Sequence, residues 1–372
     1  MEIPFFPADL FENDRKVMLD LIREIGVAPE QKFILGERTR VFEEMLRDDL
    51  GAADVVACGS GTSALGLVLR AMEIGPGDEV VVPAFGCAPL ASAVLEAGAQ
   101  PVFADVDRRT AVVDPEDVAA RITHRTKAIM PAHMFSVMAD MPRLTEIASS
   151  RGVRLVEDSA VAQGAVLAGT PAGLWGEAGV YSFVQVKSFG MPGEGGAVVT
   201  RDAELGARVR MLRNHGQRTR FVHEVVGTNS RFDEIQAAFQ TYRYSGFAER
   251  LARRADIADH YTSCFTPLPD VVPPPPGRDG RCYYVYCVQS DRRDELRAFL
   301  AARGIGSHVY YPSPLPEQPA FAPHAPVGEG WPGAESACAR ILALPVYPHL
   351  SDTEVERVAD AVREFSGGAH DR

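Results

Sequence analysis

Tryptophan occurs only twice in the 372 residues, and cysteine only six times. Cys58, Cys87, Cys264, Cys282, Cys287 and Cys338 are scattered and never form a CxxC pair. That spacing excludes a disulfide framework and a thiolate metal site, and it points to free thiols in a reducing cytoplasm. Each could equally be a small buried hydrophobe. Basic residues are in deficit: 38 Lys and Arg stand against 50 Asp and Glu, for a net charge of −12. Non-specific nucleic-acid binding and attraction to an anionic membrane are therefore excluded. A single anionic ligand is not, because a helix N-terminus can hold one. No run of ~18 apolar residues is present to span a bilayer. The opening MEIPFFPADLFENDRK is acidic and lacks an apolar h-region, so no signal peptide is expected. There is no internal repeat. The one biased stretch is PLPDVVPPPPGRDG (267–280), whose four consecutive prolines read as a stiff connector.

The chain is longer than one core comfortably fills (~250–300 residues), so a large domain and a smaller one are expected. An arm over 1–30 carries a helix near 12–25. A second helix follows Gly36, with Phe42, Met45, Leu46 and Leu50 at helical spacing. Short apolar strands then alternate with helices: DVVAC, EVVVP, GAQPVFADVD, TKAIMPAHMFS and VRLVED. This alternation predicts an α/β domain with a mostly parallel sheet covered on both faces. VYSFV and GGAVVT add two strands around a glycine-rich turn. Residues 233–262 read as one long helical pattern weakened at Gly246, where a domain boundary can fall. The expected domains are therefore 31–245 and 246–372. The second is α+β, with strands at 282–288 and 307–314 and helices at 291–303, 333–342 and 351–365.

The organising stretch is Leu155–Thr200, which opens with VED and closes on VKSFGMPGEGG. Asp158 ends an apolar strand, where a carboxylate can hold a pyridinium proton or simply cap a helix. Lys187 follows an apolar segment, where burial lowers an amine's pKa and leaves it free to attack an aldehyde. Ser182 lies between them. An amine, a carboxylate and small hydroxyl donors are what pyridoxal phosphate requires. GSGTSAL (59–65) sits at a strand-to-helix turn. There Ser60, Gly61 and Thr62 could cradle a phosphate, or Ser60 could be a plain N-cap. Ala160, two residues past Asp158, could lie flat under a ring. GTNSRFDE (227–234) offers Asn229 before a helix. His133 stands at a strand end, where open α/β sheets bind ligands, or it is a structural hydrogen-bonder.

In this order the motifs resemble the DegT/StrS-type aminotransferases, which aminate keto-sugars and ketocyclitols. The matching segments include FILGERTRVFEE, GSGTSALGLVL, GPGDEVVVPAF, VEDSA, K-x5-GEGGAVVT, LRNHG, GTNSRFDEIQAA and ALPVYPHLS. The resemblance implies fold type I: a large, mostly parallel seven-stranded sheet sandwiched by helices, and a smaller α+β domain. It implies Lys187 as the cofactor lysine and Asp158 as the partner of the pyridine nitrogen. Ser182, Gly61 and Thr62 would hold the phosphate. Asn229 would reach the phosphate of a neighbouring subunit's cofactor, so the active sites of a homodimer would be shared. A histidine would replace Lys187 in the dehydratase branch. Two positions depart from the pattern. Val161 stands where the family has a Gln or His on the ring hydroxyl, with Gln163 two residues on. Cys87 stands near the usual stacking aromatic, with Phe85 offset by two. These departures favour an acceptor other than an ordinary nucleotide sugar.

The expected activity is transfer of an amino group from glutamate or glutamine to a keto-sugar or cyclic ketone, in secondary-metabolite or glycan biosynthesis. His133, His308 and Tyr311 are candidate acceptor contacts, with Phe85 and Gln163 beside them. The rivals are other pyridoxal phosphate chemistry on the same scaffold (elimination, aromatisation or cyclisation) and a non-catalytic cofactor-binding regulator. No metal is expected.

Overall fold

The computed structural model describes residues 2–7, 10–28 and 32–367. Of the expected arm over 1–30, Met1, Ala8, Asp9, Pro29 and Glu30 lie outside the described residues. The arm's helix is α1 (Arg15–Val27), and it is followed by α2 (Glu37–Leu50). Glu234 caps α2 from far along the chain. Its buried carboxylate accepts the Gly36, Arg38 and Thr39 N–H groups at 2.6, 2.8 and 3.0 Å.

The expected alternation then appears in order: β1 (Asp54–Cys58), α3 (Gly61–Ala71), β2 (Glu79–Pro83), α4 (Pro89–Glu96), β3 (Gln100–Ala104), α5 (Pro115–Arg121), β4 (Thr126–Ile129), α6 (Met141–Arg151) and β5 (Arg154–Asp158). A two-residue hairpin, β6 (Val166–Leu167) with β7 (Thr170–Pro171), leads to β8 (Ala178–Ser182) and β9 (Gly196–Thr200). The main sheet has seven strands in the order β1-β9-β8-β5-β4-β2-β3. Neighbours from β8 to β3 run parallel, and β9 is antiparallel to both β8 and β1. Helices cover both faces, so the central strands are mostly buried; EVVVP in β2 has no exposed position, and β4 and β5 expose one residue each, Lys127 and Arg154. The parallel strands all point their C-terminal ends to one edge. That edge carries Asp158 at the end of β5 and Lys187 beyond β8.

After α7 (Ala203–Arg213) a small hairpin, β10 (Gln217–Thr219) with β11 (Val222–His223), projects outward with Phe221 and Val222 exposed. The helical pattern over 233–262 is two helices, α8 (Glu234–Tyr244) and α9 (Phe247–Phe265), which break at Ser245–Gly246. Early α9 packs Phe247 into the core around Phe183 and Phe189; later α9 gives Ile257, Tyr261 and Phe265 to a second core. That second core is built on β12 (Tyr286–Gln289), α10 (Arg293–Ala301), β13 (Ile341–Leu344) and α12 (Asp352–Gly367), while α11 (Pro332–Arg340) packs Ala334, Ala337 and Cys338 into the first. The second core also takes in Ile3, which is fully buried and bridges to Ile305, with Gly306 N–H donating to Ile3 O at 2.8 Å.

Three local expectations need correction. The strand at 282–288 begins only at Tyr286. The residues before it are held instead by Ser136 O, which accepts from Cys282 N at 3.2 Å and Arg281 Nε at 2.7 Å. The segment 307–314 forms no strand beyond a single bridge, His308 with Ala343. That bridge partners β13, a strand expected to be the end of a helix; Ile341–Leu344 is wholly buried and pairs with β12. Among the described residues no helix is long and apolar enough to cross a membrane.

Candidate active site

Lys187 is delivered by the connection between β8 and β9. Three fully buried side chains, Phe183, Phe189 and Met191, nail this loop to the core. Between them the chain turns tightly: Lys187 N–H donates to Val184 O and Gly190 N–H donates to Lys187 O, both at 2.9 Å. Position 190 must be glycine, since a Cβ there would lie 2.5 Å from Gln185 O. Among the described residues the Lys187 amine has no ion pair and no hydrogen bond. Its contact is the face of Tyr284, with Nζ 4.4 Å from the ring centroid. Burial lowers its pKa, opposed by the nearby charges of Cys87, Asp158 and Glu194. A lowered lysine pKa leaves more free amine for attack on an aldehyde.

Asp158 is 4 % exposed. Its Oδ1 accepts the Ala160 N–H at 3.0 Å, and among the described residues its Oδ2 meets the Cys87 thiol alone, at 4.0 Å. Burial raises its pKa, opposed by that N–H and by the nearby Lys187 amine. A buried carboxylate with one oxygen unclaimed by any N–H is suited to a cationic ring nitrogen. Cys87 itself is pushed up to about 12 by burial and by Asp158. It is therefore an inert thiol, present as shape.

The third element is the N-terminus of α3. Ser60 caps it, accepting from Ser63 N–H at 3.1 Å, while the Ser63 hydroxyl serves the Ser60 N–H in return. Ser60 thus serves as the helix cap, its Oγ accepting from Ser63 N–H. The N–H groups of Gly61 and Thr62 have no partner among the described residues. Ser182 lies directly across: a Cβ on Gly61 would come within 3.0 Å of Ser182 Cβ and 3.4 Å of its Oγ. Two free N–H groups, the positive end of a helix and two hydroxyls, Thr62 and Ser182, make an anion cradle. An amine, an unclaimed carboxylate oxygen and this cradle fit pyridoxal phosphate.

Other expected residues are placed differently. His133 is buried with both ring nitrogens engaged: Nδ1 accepts from Ala139 N–H and Nε2 pairs with Glu157, each at 3.2 Å. It has nothing left for an acceptor. Its partner Glu157 is fully buried and also takes the Gly173, Trp175 and Gly176 N–H groups. Phe85 is fully buried and packs edge-on against Tyr311 at 5.9 Å, so it supports the wall rather than facing a substrate. His308 lies further out, stacked on Phe5 at 5.7 Å and against Tyr310 at 4.5 Å. Gln163 is buried, with its Oε1 unpartnered. Asn229 is exposed, and its Oδ1 accepts from Arg231 Nε at 2.9 Å. Sequence reasoning missed Tyr284, Tyr310 and Phe6. Phe6 packs on Tyr284 at 6.4 Å. The only signal for these residues was the density of aromatics in CYYVYCV, SHVYYPSP and IPFF.

This arrangement recurs in known proteins. The chain is 40% identical over 354 residues to the UDP-N-acetyl-3-dehydro-alpha-D-glucosamine 3-aminotransferase of Acidithiobacillus ferrooxidans, covering 94% of each. It is 40% identical over 336 residues to the dTDP-3-amino-3,4,6-trideoxy-alpha-D-glucose transaminase of Streptomyces venezuelae, covering 90% of this chain and 89% of the relative. Its fold superposes on S. venezuelae DesV, solved in complex with a ketimine intermediate, with a TM-score of 0.93, 38% identity and 98% of each chain covered. Other structural neighbours hold the pyridoxamine phosphate form of the cofactor. The DegT/DnrJ/EryC1/StrS aminotransferase family profile matches residues 19–363. An amine, a carboxylate and an anion cradle on this scaffold therefore have one reading: the chain belongs to that family and is a pyridoxal phosphate-dependent aminotransferase.

Proposed function

We propose that this aminotransferase moves an amino group from glutamate or glutamine to the ketone of a nucleotide-activated keto-sugar. The observation that carries the site is the convergence of Lys187, Asp158 and the free N–H pair of α3 on one sheet edge. The keto-sugar is supported by the two 40% identical relatives, both named for amino transfer at the 3-position of a nucleotide-bound hexose. A 3-keto sugar in secondary-metabolite or glycan biosynthesis is the acceptor we favour.

The bound cofactor supplies an electron sink at the amine-bearing carbon. The chain's own residues do the rest. Lys187 Nζ would hold the cofactor and would take and return the proton at that carbon. Asp158 Oδ2 would hold the ring nitrogen's proton, with the Ala160 N–H fixing the other carboxylate oxygen. Gly61 and Thr62 N–H, with the Thr62 and Ser182 hydroxyls, would bind the phosphate. Cys87 and Ala160 would lie beside the ring, and Tyr311 and His308 would meet the acceptor.

The active unit is a homodimer in the cytoplasm, with two domains meeting near Gly246. Large apolar side chains lie exposed on and beside α1 and α2, among them Leu19, Ile22, Val27 and Phe33. Apolar surface of this kind marks an interface. In the dimer, Asn229 reaches the second copy's cofactor phosphate.

The test is direct. Purified holoenzyme mixed with L-glutamate should lose the visible absorbance of lysine-bound cofactor. Adding UDP- or dTDP-3-keto sugars should restore it. No change with any amino donor would sink the transaminase reading. Restoration only by non-nucleotide cyclitol ketones would sink the acceptor.

A further inference from the structure

The Lys187 amine is in an unusual position for a buried cation. No oxygen accepts a hydrogen bond from it among the described residues. Its carboxylate neighbours, Asp158 from the end of β5 and Glu194 from its own loop, act on it only at a distance. The thiol of Cys87, from the connection between β2 and α4, is the third group facing it. The aromatic surface that meets Nζ is the face of Tyr284, 4.4 Å away, well inside the ~6 Å range of cation–π attraction.

Tyr284 is built to be a fixed plate. It is 6 % exposed. Its carbonyl and that of Tyr283 both accept from Arg254 Nη1 at 3.2 Å, and the same nitrogen binds Val346 O at 2.5 Å. Phe6 packs against the ring, and the hydroxyl is bonded to Tyr310. The hydroxyl is thus turned to another partner. What Tyr284 offers the lysine is its π face, from the segment leading into β12.

We propose that Tyr284 is a positioning residue that receives the Lys187 amine whenever that amine is not covalently engaged, seating its ammonium form against the ring between covalent states. This rests on the reading of Lys187 as the cofactor lysine. A displaced lysine must stay within reach of the carbon it protonates. A long, flexible side chain with no hydrogen-bond acceptor would otherwise wander or point to solvent. The ring face also favours the ammonium, against the burial that disfavours it. Tyr284 therefore sets both where the amine waits and how readily it gives up its proton.

The experiment uses the cofactor-free protein, so that it reads the amine itself. Lys187 is modified with fluorodinitrobenzene across a pH series, and its labelling is followed by peptide mapping. Tyr284→Phe should leave the labelling midpoint where it is in the wild type, because the ring remains. Tyr284→Leu should lower the midpoint by about one pH unit, since the ammonium loses its stabilising face. A series with mono-, di- and trifluorinated phenylalanine at 284 drains the ring face without changing its shape. It should lower the midpoint stepwise, and it keeps the test valid if the leucine variant folds poorly. A midpoint that ignores fluorination, or shifts upward, overturns the proposal. A large shift in Tyr284→Phe also overturns it, because the hydroxyl would then be the working group. Failure of wild-type Lys187 to bind pyridoxal phosphate would refute the cofactor reading and leave these midpoints readable.

Discussion

Replacing Asp158 with Asn should push the cofactor-free and cofactor-bound proteins in opposite directions. The side chain is 4 % exposed, and among the described residues its only N–H partner is Ala160. Burial raises its pKa. For an acid, a folded pKa above the unfolded one means the folded state holds its proton more tightly. That contribution to stability is fully present below the unfolded pKa, near 4, and is lost as pH rises through the folded value. At pH 8 the ionised carboxylate is therefore a burden on the empty protein. Asn keeps the Oδ1 acceptor for Ala160 and removes the charge, so the empty variant should melt no lower than wild type at pH 8. Any advantage should shrink as pH falls toward 4. With cofactor bound the sign reverses. The carboxylate's charge-assisted bond to the ring nitrogen is lost, and a neutral amide cannot replace it. Removing one preorganised electrostatic contact in a dry site costs roughly 10²–10³ in rate, or ~3–4 kcal/mol. Stopped-flow loss of visible absorbance with glutamate measures this in one half-reaction, and differential scanning calorimetry with and without pyridoxal phosphate measures the stabilities. A half-reaction within tenfold of wild type would refute the assignment. So would an empty variant markedly less stable at pH 8.

Lys187→Ala should abolish the lysine-bound absorbance while the protein still folds; mixed with Asn229→Ala it should regain activity through hybrid dimers, and absence of any gain would argue for self-contained sites. Gly61→Ala places a methyl group 3.0 Å from Ser182 Cβ and crowds the anion cradle. Equilibrium dialysis should show pyridoxal phosphate binding weakened by about tenfold or more, ~1.4 kcal/mol, and unchanged affinity would remove that turn from the phosphate site. With its pKa pushed up to about 12, Cys87 should carry a thiolate fraction of about 10⁻⁴ at pH 8 and escape iodoacetamide in the native protein; rapid labelling would mean the thiol is exposed and activated.

The site was legible where its chemistry is local. Asp158 ends an apolar strand, Lys187 follows another, and Gly61 opens a helix, so a few neighbouring residues define each. The strands of the sheet were legible for the same reason, since most are short apolar segments between turns, whereas their number in one sheet came from the family resemblance. What could not be read was anything made by two distant segments. His133 looked like a ligand from its strand-end position, yet only the fold shows Glu157 and Ala139 claiming both its nitrogens. Tyr284 sat in an expected strand, and nothing local showed that Arg254 and Ser136 draw that stretch out of the ladder toward Lys187. Ile341–Leu344 is a buried strand of only four residues, too short for periodicity to separate from a helix end. Gly246 was expected to be a weak point; the helix breaks there, and α9 starts in the core that α8 serves before its later residues reach the second.

Ile3 and Ile305 are bridged side by side, and about three hundred residues separate them along the chain. Ile3 leaves the ribosome long before Ile305 exists, so it must wait, unpaired and apolar, while the sheet between them folds. The second core can close only when the late-made segment arrives to receive it. A tag fused tightly against Ile3, or deletion of the residues around it, would then act as a folding defect in the second core, not as the trimming of a tail. The same stitch carries Phe5 and Phe6, so slack in it would reach the cleft at once.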